Sequence, residues 1–153
     1  MPAPLPITSF GEFPPINSRN EFLSAISSHY TRMLRTLTQS SALFRDMDQT
    51  ILGDDTFALT LTNTRVDGEP SAPAFPNGIY FGEVFAASTQ SKQVEVVIHE
   101  ASHFKDGHNF NDSFKADSPN WGKFSGGQGI LNSWSYSMFV LDVAFNRTTP
   151  FPS

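Results

Sequence analysis

The chain has 153 residues, an apolar fraction of 39%, a formal net charge of −5 and no cysteine. Without thiols there are neither disulfides nor thiolate metal sites, so any bound metal must be held by histidine and carboxylate. An acidic balance with no block of Lys or Arg argues against nucleic-acid and anionic-membrane partners, and an aromatic share of 13% fits one folded domain with its own core.

Residues 1–17, with Pro2, Pro4, Pro6, Pro14 and Pro15, predict an irregular arm laid over a single domain at 18–146, followed by a tail at 147–153. The first fifteen residues carry neither the basic region nor the apolar run of a signal peptide. That is consistent with a cytoplasmic protein, one exported without a classical signal, or a secreted one whose leader has been removed. Ser18 with Glu21 forms a capping box, and Phe22, Ile26, Tyr30, Met33, Leu34 and Leu37 follow at helical spacing. A second helical or irregular stretch is expected from Ser41 to about Ile51. Phe57–Thr62 alternates, with Phe57, Leu59 and Leu61 on one face, which predicts a half-buried strand.

Residues 66–77 read as a loop and Ile79–Phe81 as a second strand. A helix is expected from near Ser91 to about Gly107, then a long polar connection, then a last helix with Asn132 as N-cap. Strands flanked by an early helix and two late ones predict an α+β domain with a small sheet.

The chemistry concentrates in Val94–His103, VEVVIHEASH. On a helix His99 and His103 lie one turn apart on one face and can grip a single ion, with Glu100 beside it to accept a proton from water. A catalytic zinc takes three protein ligands, and the third is open among Asp106, His108, Asp112 and Asp117. No glutamate follows Glu100, which excludes peptidases that recruit one downstream. The metzincin pattern needs Gly three and His six residues after the second histidine. Those positions are Asp106 and Asn109, with Gly107 and His108 each displaced by one.

HEASH, an aspartate nine residues beyond His103, and the later Asn132-Ser-Trp-Ser-Tyr-Ser-Met-Phe139 resemble the aspzincin metallopeptidases, the deuterolysin and peptidyl-lysine endopeptidase group. The likeness spans Ser18 to about Phe145 and implies a zincin-like fold, Zn2+ held by His99, His103 and Asp112, and Glu100 as general base. Where that family has GTxDxxYG this chain has Asn109–Ala116, so Lys115 stands at the family's tyrosine. The resemblance leaves oxyanion stabilisation to Lys115 or to Tyr136. In the segment resembling NADSYxxF, Trp134 and Ser137 occupy substrate-binding positions, which implies an apolar or broad pocket in place of lysine specificity. The implied partner is a peptide or protein substrate, and the implied state a monomer. The rival reading is a catalytically idle zincin-fold module that binds through Phe104, Phe110, Phe114, Trp121 and Phe124. Zinc hydrolysis of a non-peptide amide would use the same site.

Overall fold

The computed structural model describes residues 7–11, 19–39, 44–61, 77–104, 110–119, 121 and 123–145, and these form an α+β arrangement. Ser18 of the expected capping box, the 66–76 loop, Asp106, His108 and the 147–153 tail lie outside the described residues. From the arm, Ile7–Phe10 forms a short 3-10 turn, and Phe10 is not draped over the surface. It is 2% exposed and packs edge-on to Tyr136 at 5.0 Å, so the arm contributes to the core.

Helix α1 runs Arg19–Gln39. Phe22, Ile26 and Met33 are buried, but Leu34, expected on the same stripe, is 61% exposed. One residue past Met33 turns the helix by about 100°, and the inward position one turn earlier belongs to His29.

Among the described residues the sheet has three strands: β1 Phe44–Asp46, β2 Ala58–Leu61 and β3 Gly78–Phe81. Their order is β1-β3-β2, with β1 parallel and β2 antiparallel to β3. The stretch expected as helical or irregular at 41–51 is thus a strand followed by the short helix α2, Gln49–Leu52, capped by the Asp48 carboxylate on the Thr50 amide at 2.8 Å. Pairing of Phe44 with Ile79, far along the chain, overrides the local preference. In β2 it is Ala58 that is buried, while Leu59 is 40% exposed and Thr60 reaches the helix behind. The inward face is the one with the smaller side chains, because a helix packs directly against it.

Helix α3, Glu83–Ala86, leads into α4, Gln90–His103, whose N-cap Thr89 accepts from the Lys92 amide. The helix ends at His103, earlier than the expected Gly107. Helix α5, Gly126–Gly129, starts with a Ser125/Gln128 capping box, and α6 runs Ser133–Phe145. Gly129 lies where an added Cβ would meet the Phe10 carbonyl oxygen at 2.1 Å, which fixes the arm close to α5. Helix α4 is sandwiched, with the sheet on one side and α6 on the other. Ser133, Ser135 and Ser137 on α6 are fully buried, as are Ala101 and Ser102 on α4, so small side chains let the two helices approach closely. Among the described residues no helix is long and apolar enough to cross a membrane.

Candidate metal centre

His99 and His103 close α4, and its periodicity puts their Nε2 atoms 3.2 Å apart. Asp112 arrives from a different segment and faces both rings, Oδ1 at 3.2 Å from His99 Nε2 and Oδ2 at 3.3 Å from His103 Nε2. The three side chains form a group that could hold a metal ion.

A backbone clamp sets Asp112 in place. Asn111 and Asn132 form an isolated parallel bridge, in which the Asn111 amide donates to the Leu131 carbonyl and the Ser133 amide to the Asn111 carbonyl, both at 2.9 Å. The Asn132 side chain, expected as a helix cap, instead accepts from the Phe114 amide at 3.3 Å and donates to the Phe114 carbonyl at 3.0 Å. It is fully buried. The start of α6 therefore positions the segment that carries the aspartate.

These residues line a cavity of about 340 Å³ with Leu59, Thr60, Glu100 and Phe110. Thr60 Oγ1 donates to Glu100 Oε2 at 2.6 Å and lies 3.0 Å from the Glu100 carbonyl oxygen. Strand β2 thereby holds the carboxylate one residue along the helix from the first histidine.

The electrostatics follow from this packing. Burial would raise the Asp112 carboxyl, but hydrogen bonds and charge interaction from His103 and His99 outweigh it and hold the group well below the usual carboxylate range. Burial would lower His103, but the Asp112 hydrogen bond and charge, the Glu100 charge and the Phe110 backbone leave it raised overall.

The remaining residues expected at the site lie elsewhere. Tyr136 is fully buried, and its hydroxyl donates to the Ile130 carbonyl at 2.7 Å and meets His29 Nδ1 at 2.5 Å. Burial pushes that phenol far above its ordinary pKa. Its hydroxyl reaches His29 on α1 and its ring packs on Phe110, 5.1 Å between centroids, without itself lining the cavity. Lys115 is exposed and does not line the cavity, and Asp117 is exposed and outside the donor group. Ser137 is buried, donating to the Trp134 carbonyl at 3.1 Å. Trp134 stays close, meeting the His99 ring edge-on at 4.7 Å between centroids. Of the loop aromatics, Phe110 and Phe124 are buried, and Phe114 and Trp121 pack on Phe124 at 4.6 and 5.5 Å.

Sequence reasoning missed Thr60, Leu59 and the clamping role of Asn132. The spacing of Asn132 from Phe114 carries no local signal, and Thr60 reads only as the polar side of an alternating strand. Comparison of the chain with protein-family models, with curated proteins and with solved structures gave no match in any of the three.

Proposed function

We propose that this protein is a zinc-dependent endopeptidase of the aspzincin type on a zincin-like fold. The observation that carries the reading is the donor triangle. Zinc bound to nitrogen and oxygen at about 2.0–2.1 Å in tetrahedral geometry separates its ligands by about 3.3–3.4 Å. The two imidazole Nε2 atoms are 3.2 Å apart, and the Asp112 carboxylate spans them, with Oδ1 3.2 Å from His99 and Oδ2 3.3 Å from His103. Two imidazoles and a carboxylate, with no thiolate, are a donor set that zinc accepts in hydrolytic sites.

His99, His103 and Asp112 would hold the ion, whose contribution when bound is Lewis acidity toward a carbonyl and a lowered pKa for water. Glu100 serves as general base, taking the proton of the attacking water and delivering it to the leaving amine. Thr60 occupies Oε2 of that carboxylate, which leaves Oε1 for the proton and fixes the group's orientation. Among the described residues strand β2 stands at the end of the sheet order, so an extended peptide can add along its outer edge and run past Glu100 with Leu59 against a substrate side chain. Lys115 and Tyr136 are not needed for these steps. Tyr136 ties α6 to α1, and Trp134 braces His99. Of the loop aromatics that a pure binding module would use, Phe114 and Trp121 pack on Phe124, which favours the enzyme.

The decisive variant is Glu100→Gln. Peptide hydrolysis should fall by about 10²–10⁴, the usual weight of a general base, with zinc content unchanged. Retained hydrolysis in that variant would overturn the mechanism.

A further inference from the structure

Among the described residues, His99 Nδ1 is the buried side-chain polar atom with no hydrogen-bond partner. Its position on the ring gives this consequence. Nε2 faces Asp112 in the large cavity, and His99, with Glu100, also lines a second cavity of about 150 Å³. A histidine that gives Nε2 to a metal carries its proton on Nδ1, and that N–H needs an acceptor to hold the tautomer and the ring angle.

Two carboxylates line the second cavity, and with Glu100 held by Thr60 and read as the general base, the other is Glu95. It sits four residues before His99 on the same face of α4 and is 2% exposed. Both its oxygens take hydrogen bonds from Lys92 Nζ, at 2.8 and 3.0 Å. A carboxylate offers about four lone-pair sites, so two bonds from one ammonium leave acceptor capacity directed elsewhere. Lys92 is itself anchored, its ammonium 4.9 Å from the Phe57 ring centroid, and Trp134 closes the cavity against the His99 ring. Room for a water needs only about 10–15 Å³.

We propose that Glu95 is a positioning residue for His99, accepting the Nδ1 proton through a water in this small cavity and so presenting Nε2 to the metal. The inference rests on the zinc reading of His99, His103 and Asp112. Lys92 shares the acid through its two hydrogen bonds, while the water carries the bond across to the imidazole.

The test compares zinc affinity, by competition with a chromophoric chelator, in the full-length wild type, Glu95→Gln, Glu95→Leu and Lys92→Met. Loss of an outer partner of a metal-bound histidine weakens binding by about 10–100-fold. Glu95→Gln, which keeps a weaker acceptor, should fall by about tenfold and Glu95→Leu by more, while Lys92→Met stays near wild type. In the zinc-loaded wild type the His99 Nδ1 proton should give a slowly exchanging downfield resonance that moves in Glu95→Gln. A packing role alone would lower melting temperature without moving either the affinity or that resonance. Zinc affinity within twofold of wild type in Glu95→Gln and Glu95→Leu would overturn this inference and leave the zinc site standing. A wild type that takes no zinc would overturn both. Should Glu95→Leu not fold, Glu95→Gln decides alone.

Discussion

Replacing Asp112 by alanine removes one corner of a triangle whose other two corners share a helix. The remaining imidazoles stay 3.2 Å apart, so the variant retains a bidentate site and loses one donor with its negative charge. Structural zinc in four-ligand peptides is bound with about 10–16 kcal/mol, which gives roughly 2.5–4 kcal/mol per ligand and a factor of about 10²–10³ in affinity. The Asp112 side chain is 43% exposed, so water can take its place at the ion, and the lower end of that range is expected. Chelator competition on wild type and Asp112→Ala, with elemental analysis of both, should therefore show about a hundredfold weaker zinc binding in the variant. Asp112→Asn, which keeps an oxygen but not the charge, should fall between. If the wild type binds tightly and Asp112→Ala stays within about threefold, Asp112 is only a countercharge and the third ligand lies elsewhere.

Four further outcomes are expected. Thr60→Val removes the hydroxyl that orients Glu100. A bond to a charged group is worth about 1.5–3 kcal/mol, so kcat/KM for a peptide should drop by about tenfold or more with zinc content unchanged, and an undiminished rate would refute the role. Tyr136→Phe should lower unfolding free energy by about 1–3 kcal/mol in urea titrations, leaving zinc affinity alone, because its hydroxyl serves the core. Met33→Ala, at a site 1% exposed, should cost about 2–5 kcal/mol in the same assay. In the metal-free protein, Asp112 sits below its unfolded pKa of about 3.9, so its contribution is present above that pH and lost as pH falls. His103 sits above its unfolded value of about 6.5, so its contribution is complete below that pH and lost as pH rises through the folded value. The melting-temperature gap between metal-free wild type and Asp112→Ala should then be widest between about pH 4 and 6.5. A gap that widens toward pH 9 would contradict the pairing.

What the sequence revealed and what it hid divide along distance in the chain. His99, Glu100 and His103 were legible because helix geometry is local, and four residues always make one turn. The stripe of α1 was legible apart from Leu34, where alternation between i+3 and i+4 steps made the edge of the face ambiguous. Strand β1 was not, since Phe44–Asp46 becomes a strand only by pairing with Ile79–Phe81. Nor was the inward side of β2: alternation at 57–62 gives two faces, and only the presence of α4 behind Ala58 and Thr60 decides between them. Asp112 came from the resemblance, because nothing in its neighbours announces that Asn111 will bridge to Asn132. The same gap placed Tyr136 among the reacting groups, when its own burial against His29 and Ile130 takes it away.

The three donors lie within fourteen consecutive positions, two on one helical turn and the third nine residues on. Closing so short a ring costs little chain entropy, even where the polypeptide has no structure. If these residues hold zinc as proposed, an unfolded chain would keep a weak grip on the ion, and binding to the unfolded state would subtract from the stabilisation that the native affinity alone implies. Zinc should raise the melting temperature by less than its dissociation constant suggests. The same short ring lets the ion draw His103 and Asp112 together early in refolding, before the bridge to Asn132 has formed.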